Sequence, residues 1–162
     1  MPSMKVTRSY RMLFHPDERG KMQSKQVDKT YFIFLEKDEP VMKTLTAFCS
    51  KNGIQNGEIS GIGAVKNIEV GVFDPGSKSY IHKKFDKTHE LISCMGNITL
   101  KDGEPFIHAH ITFGDHDMNV KGGHVFEMTV AVVGEFYIRK FDGSIHRELD
   151  EDVGLAVCCI EE

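Results

Sequence analysis

At 162 residues and 40% hydrophobic content, the chain suits one domain around one core, and no run approaches the roughly 20 apolar residues that a membrane helix needs. Its net charge of −4 comes from 20 basic and 24 acidic residues. Phosphate neutralisation supplies most non-specific nucleic-acid affinity, and Lys5, Arg8, Arg11, Lys21, Lys25 and Lys29 are scattered among acids rather than clustered, so duplex binding by the lone chain is disfavoured.

In chain order, Met1 to Tyr10 is polar, with no apolar block after a charged start, which speaks against a signal peptide and for a cytoplasmic protein. Residues 7–14 alternate loosely as a strand, broken by His15-Pro16-Asp17-Glu18-Arg19-Gly20. Thr30 to Leu35, aromatic and β-branched, reads as a second strand. A helix is expected over 38–52, with Asp38 as N-cap, Glu39 and Pro40 in its first turn, and Val41, Leu45, Phe48 and Cys49 as one apolar stripe. Lys51 suits its negative end and Gly53 its left-handed C′ position. Beyond it, strands are expected at 57–64, 67–74, 79–85, 89–100, 105–113, 124–139 and 155–160, with periodicity leaving a short helix open near 124–132. Several connections are too short for crossovers. The fold class is therefore α/β in the broad sense, or α+β: a single compact domain, 1–162, with a largely antiparallel sheet, few helices and a C-terminal stretch, 141–162, that alone carries −6.

Four cysteines, Cys49, Cys94, Cys158 and Cys159, show no Cys-x-x-Cys spacing; they read as buried thiols in a reducing compartment. Ser60-Gly61-Ile62-Gly63-Ala64 lacks the third glycine and the following helix of a dinucleotide fingerprint, and reads as a strand that another backbone approaches closely.

Histidine carries the chemistry. In Pro105-Phe106-Ile107-His108-Ala109-His110-Ile111-Thr112-Phe113, strand alternation puts His108 and His110 on one face and Ile107, Ala109 and Ile111 on the other. Two imidazoles about 6.5–7 Å apart along a strand can converge on one ion. A loop from Met118 ends in Gly122-Gly123-His124, where two glycines allow a sharp turn or close approach that returns His124 to the pair. Three neutral histidines suit zinc or another divalent transition metal; hydrogen-bonded structural histidines are the plainer alternative. His116, between Asp115 and Asp117, is a rival third ligand, and His15, His82, His89 and His146 are isolated in sequence. No nucleophile–histidine–acid order stands out, so no residue is assigned a catalytic role.

These residues also carry a resemblance. Glu90-Leu91-Ile92-Ser93-Cys94-Met95-Gly96-Asn97-Ile98, then His108-Ala109-His110 and Gly122-Gly123-His124-Val125, resemble the PPC (plant and prokaryote conserved) domain, and the likeness runs over about residues 8–139. It implies a compact α/β fold, a homotrimer, and a metal centre, with zinc as the ion, made by His108, His110 and His124 near the subunit interface. Plant members bind DNA through fused AT-hooks, and the Arg-Gly-Arg-Pro core of such a hook is missing here; plant members also lack these histidines, so the chain resembles the stand-alone prokaryotic kind. Its role is then an oligomerisation and binding module that holds metal and has a small-molecule or protein partner. One alternative is a metal-dependent hydrolase or lyase, for which Glu127 is the one acid with plausible reach; another is a DNA-binding regulator, which the charge disfavours.

Overall fold

The computed structural model describes residues 22–160; the strand expected at 7–14 and the break after it lie outside them. The described residues form nine strands and one helix: β1 (Gln23–Val27), β2 (Thr30–Glu36), α1 (Val41–Lys51), β3 (Gly57–Asp74), β4 (Ser79–Phe85), β5 (His89–Lys101), β6 (Glu104–Gly114), β7 (Val120–Lys140), β8 (His146–Asp150) and β9 (Leu155–Cys159). The largely antiparallel sheet expected from the short connections is present; the one parallel pairing among the described residues joins β5 to β8.

Pairing closes a circuit. β3 pairs with both β5 and β7, β5 pairs with β6, and β6 pairs with the start of β7. The sheet therefore wraps round its own apolar face, and α1 packs against β6 and β7. Ile107, Ala109 and Ile111 of β6 are all buried, as the alternation required, and Ile59, Cys94, Ile98, Phe136 and Ile138 from the facing strands join them in the core.

Val41, Met42, Leu45, Phe48 and Cys49 form the buried face of α1. A Val or a Thr costs a helix only a few tenths of a kcal/mol, whereas burying each large apolar side chain contributes about 1.5–3 kcal/mol, so packing decides that this segment is helical. The N-terminus departs from expectation. Asp38 has φ +72 and sits outside the helix, whose N-cap is Pro40 with no cap from its own side chain. The cap comes instead from β7: the Glu127 carboxylate accepts from Met42 N at 2.8 Å and Lys43 N at 3.1 Å. A carboxylate there satisfies orphan amides and meets the positive end of the helix dipole. At the other end Gly53, φ +59, takes the left-handed position expected of it.

The strands expected at 57–64 and 67–74 are one element, β3, kinked at Asn67, φ +50, where the register with β7 also shifts. Its glycines are packing devices: a Cβ on Gly61 would lie 2.1 Å from Phe136 Cδ1, and one on Gly63 2.4 Å from Val133 O. Residues 124–132 are strand throughout. β1 and β8 have no counterpart among the expected strands, because QSKQV and HRELD carry no apolar alternation; pairing to β2 for the one, and to β9 and β5 for the other, makes them strands. Cys49 and Cys94 are buried, but Cys158 is exposed and Cys159 only half-buried, since β9 lies outside the closed circuit. Burial pushes the Cys49 and Cys94 thiols up to about 12. No helix among the described residues is long and apolar enough to cross a membrane.

Candidate metal centre

The three histidines singled out in the sequence come together. His108 and His110 lie in β6, and His110 is the direct cross-strand partner of His124 in β7. The ring centroids form a near-equilateral triangle: 5.2 Å between His108 and His110, 5.1 Å between His108 and His124, and 5.5 Å between His110 and His124. One nitrogen from each ring lies within 4.8 Å of the others. Nitrogens at about 2.0–2.1 Å from one tetrahedral zinc are roughly 3.4 Å apart, so the rings stand wider than ligation needs by no more than about 1.4 Å.

The turn that delivers His124 is shorter than expected. β7 begins at Val120, so Gly122 and Gly123 are strand residues and the connection is Asp115–Asn119. The two glycines let β7 squeeze between its neighbours: a Cβ on Gly122 would lie 2.5 Å from Ile111 O of β6, and one on Gly123 2.9 Å from Gly71 O of β3. Asp115 ties the turn, accepting from Asp117 N, Asn119 N and Lys121 Nζ at 2.9–3.0 Å.

The rings are graded in burial. His110 is exposed, and His108 and His124 are half-buried. His124 Nδ1 is fully enclosed and has no hydrogen-bond partner among the described residues. Buried polar atoms are nearly always satisfied, so this nitrogen lacks the acceptor or donor that a purely structural histidine would have. Burial pushes the His124 imidazole down to about 4, reinforced by His108, His110 and His82. Burial, then the Arg147 charge and His110, also hold His108 below its ordinary value. Both are therefore neutral near pH 7, the form in which an imidazole nitrogen offers its lone pair to a metal. A buried unpartnered nitrogen and an all-imidazole donor set both fit a transition-metal ion.

The other histidines are elsewhere. His116 is exposed in the turn and is not part of the cluster. His89 is buried, with its Nδ1 2.8 Å from Lys87 O and its ring against Phe85 and Phe113. His146 meets Ser144 Oγ at 3.2 Å. His82 is closer to the site than the sequence suggested: it pairs with Glu69 at 3.0 Å and stacks on Phe126 at 4.2 Å, and Phe126 in turn packs on His124. Glu127, the acid closest to His124 in sequence, belongs to the helix cap and not to this face. Tyr80, 4.9 Å from the His124 ring, and Arg147, 3.4 Å from His108 Nδ1, complete the surroundings. Both come from other strands, and nothing in the sequence pattern linked them to the histidines.

Comparison with known proteins bears on the family and the fold. The Plants and Prokaryotes Conserved (PCC) domain, the family abbreviated PPC above, matches residues 22–142. Similar solved structures include the plant- and prokaryote-conserved protein of Pyrococcus horikoshii, at 34% identity over 88% of this chain and 97% of that one, with a TM-score of 0.76. A Bacteroides thetaiotaomicron protein bearing a provisional DNA-binding name is 30% identical over 85% of this chain and 96% of its own, with a TM-score of 0.83. A metal-containing protein from Archaeoglobus fulgidus is 30% identical over 83% and 96%, with a TM-score of 0.76. No match was found among curated proteins. With one family matching most of the length, and structures at 30% identity or above sharing the fold over 83–88% of this chain, the chain belongs to the PCC (PPC) domain family.

Proposed function

We propose that this protein is a metal-binding module that assembles as a homotrimer, with zinc held by His108, His110 and His124. The observation that carries the reading is the convergence of three imidazoles on one spot, one of them with a buried, unpartnered nitrogen. The metal-containing relative from Archaeoglobus fulgidus supports it. A bound divalent ion would supply Lewis acidity; the chain's own part is to keep two of the imidazoles neutral and to fix all three on paired strands. Elemental analysis tests this. The purified protein is expected to carry about one transition metal per chain, and His108→Ala with His110→Ala to carry none. Full metal content in that double variant would end the assignment.

Self-assembly is supported by the outer face of the sheet, and three subunits rather than two by the likeness to the family. Cross-strand pairing lines up Tyr137, Ser60, Met95 and His110 in one row, and Met95 and Tyr137 are 67% and 53% exposed, with Ile62 of the same sheet at 53%. Apolar surface of this kind beside a candidate site marks an interaction face.

A hydrolase or lyase is the second reading, favoured by the exposure of His110, which leaves the centre open to solvent. It requires a general base within hydrogen-bond reach. Glu127 is committed to the amides of α1, and Glu69 is held by His82 and Lys84, so neither acid fills that role. The DNA-binding name of the Bacteroides thetaiotaomicron relative finds little support in a chain of net charge −4.

A further inference from the structure

Arg147 lies in β8, beyond the residues 22–142 that the family match covers. Its guanidinium is pinned by neutral acceptors: Nε donates to Thr99 Oγ1 at 2.8 Å, Nη1 to Ala156 O at 3.0 Å and Nη2 to Asn97 Oδ1 at 2.9 Å. It also lies over the Phe106 ring, 5.6 Å from the centroid. Nη2 is 3.4 Å from His108 Nδ1. Among the described residues, no carboxylate lies within salt-bridge distance of it. A half-buried cation held rigid at the edge of the histidine cluster, without a counter-ion, is an incomplete arrangement.

The guanidinium cannot play the usual outer part at a metal centre. A ligating histidine normally donates its second ring N–H to an acceptor, and a guanidinium has only donors. Charge makes the same point. The three imidazoles bring no negative charge, a divalent ion would add two positive charges beside that of Arg147, and the acids of this region are committed elsewhere: Glu69 to His82 and Lys84, Glu127 to α1. Cations this close repel one another, and an anion between them relieves that repulsion. Three of the five guanidinium N–H groups are used by Thr99, Ala156 and Asn97, and a fourth, on Nη2, meets His108 Nδ1 only at 3.4 Å, which leaves one free on Nη1 and one weakly held on Nη2 for a ligand. Arginine's fork is matched to carboxylate and phosphate oxygens.

We propose that the centre binds a small oxyanion, a carboxylate or a phosphate, held jointly by the metal and by Arg147. This rests on the metal-binding reading above. Arg147 is then the residue that selects for the anion, delivered to the site by the C-terminal β8–β9 hairpin.

The protein loaded with Co²⁺ provides the test, because the visible spectrum of the ion reports directly on its ligands. Acetate and inorganic phosphate are titrated separately into the wild type, Arg147→Gln and Arg147→Lys. The expected result is a saturable spectral change in the wild type with at least one anion, affinity weakened about tenfold or more in Arg147→Gln at unchanged Co²⁺ stoichiometry, and an intermediate loss in Arg147→Lys. Response to acetate alone assigns a carboxylate ligand, and response to phosphate alone a phosphate. If near-UV circular dichroism shows that Arg147→Gln has lost its packing, Arg147→Lys carries the comparison. Full Co²⁺ occupancy with no response to either anion up to about 10 mM, or equal affinity with and without the arginine, overturns the proposal and leaves the metal centre standing. A wild type that takes up no Co²⁺ overturns both.

Discussion

Glu127 and His124 are three positions apart in β7, and between them the pairing with β3 slips by one residue, from Val70↔Val125 to Glu69↔Glu127, a bulge that re-aims side chains and breaks simple alternation. His124 faces the cluster, while Glu127 faces the N-terminus of α1, where its oxygens accept from Met42 N, Lys43 N and its neighbour Met128 N. Truncating it leaves partly buried amides unpaired and removes a negative charge from the positive end of the helix. Glu127→Ala is expected to lower unfolding stability by about 1–3 kcal/mol, measured by denaturant titration, while metal content stays at the wild-type level. Loss of metal with unchanged stability would return Glu127 to the site and revive the hydrolase reading.

At the scale of elements, the β6–β7 turn fixes which face His124 occupies. A slip of one residue in that pairing would carry His124 away from His110. Asp115 fastens the turn: its bond to Lys121, then those to Asn119 and Asp117, hold its carboxyl well below the ordinary carboxylate range. An acid with a depressed native pKa stabilises the fold above its unfolded pKa, near 3.8 here, and that contribution is lost as pH falls below it. Asp115→Asn should therefore melt at a lower temperature than the wild type at neutral pH, with the gap closing as pH drops below about 4. A gap that stays constant from neutral pH to pH 3 would show that the carboxylate charge is not what holds the turn. The group is exposed, so the effect is a modest one.

For the whole molecule, the decisive quantity is assembly. Three chains of 18.3 kDa give a mass of about 55 kDa by light scattering, the value expected for the native protein. Met95→Glu with Tyr137→Glu places charges on the exposed apolar row and is expected to shift that mass toward a single chain, since charge is depleted from the cores of such interfaces. A native mass near 18 kDa would defeat assembly altogether. A mass of two chains would defeat the trimer and leave the exposed face as the contact, because two-fold dimers are the commoner default.

Features governed by local rules were legible along the chain. Alternation put His108 and His110 on one face and Ile107, Ala109 and Ile111 on the other. The stripe from Val41 to Cys49 marked the helix, Gly53 marked its end, and the short connections marked an antiparallel sheet. These follow from periodicity and backbone sterics, which act over a few residues. Tertiary structure decided what depends on partners distant in the chain. It moved the helix cap from Asp38 to Glu127, fused two expected strands into a kinked β3, and made strands of the polar segments β1 and β8 through pairing alone. It also brought Tyr80, His82 and Arg147 to the neighbourhood of the three histidines. None of these leaves a local signature, because strand register and the closure of the circuit are set by the sum of many long-range contacts, and Arg147 reaches His108 only because β8 runs alongside β5.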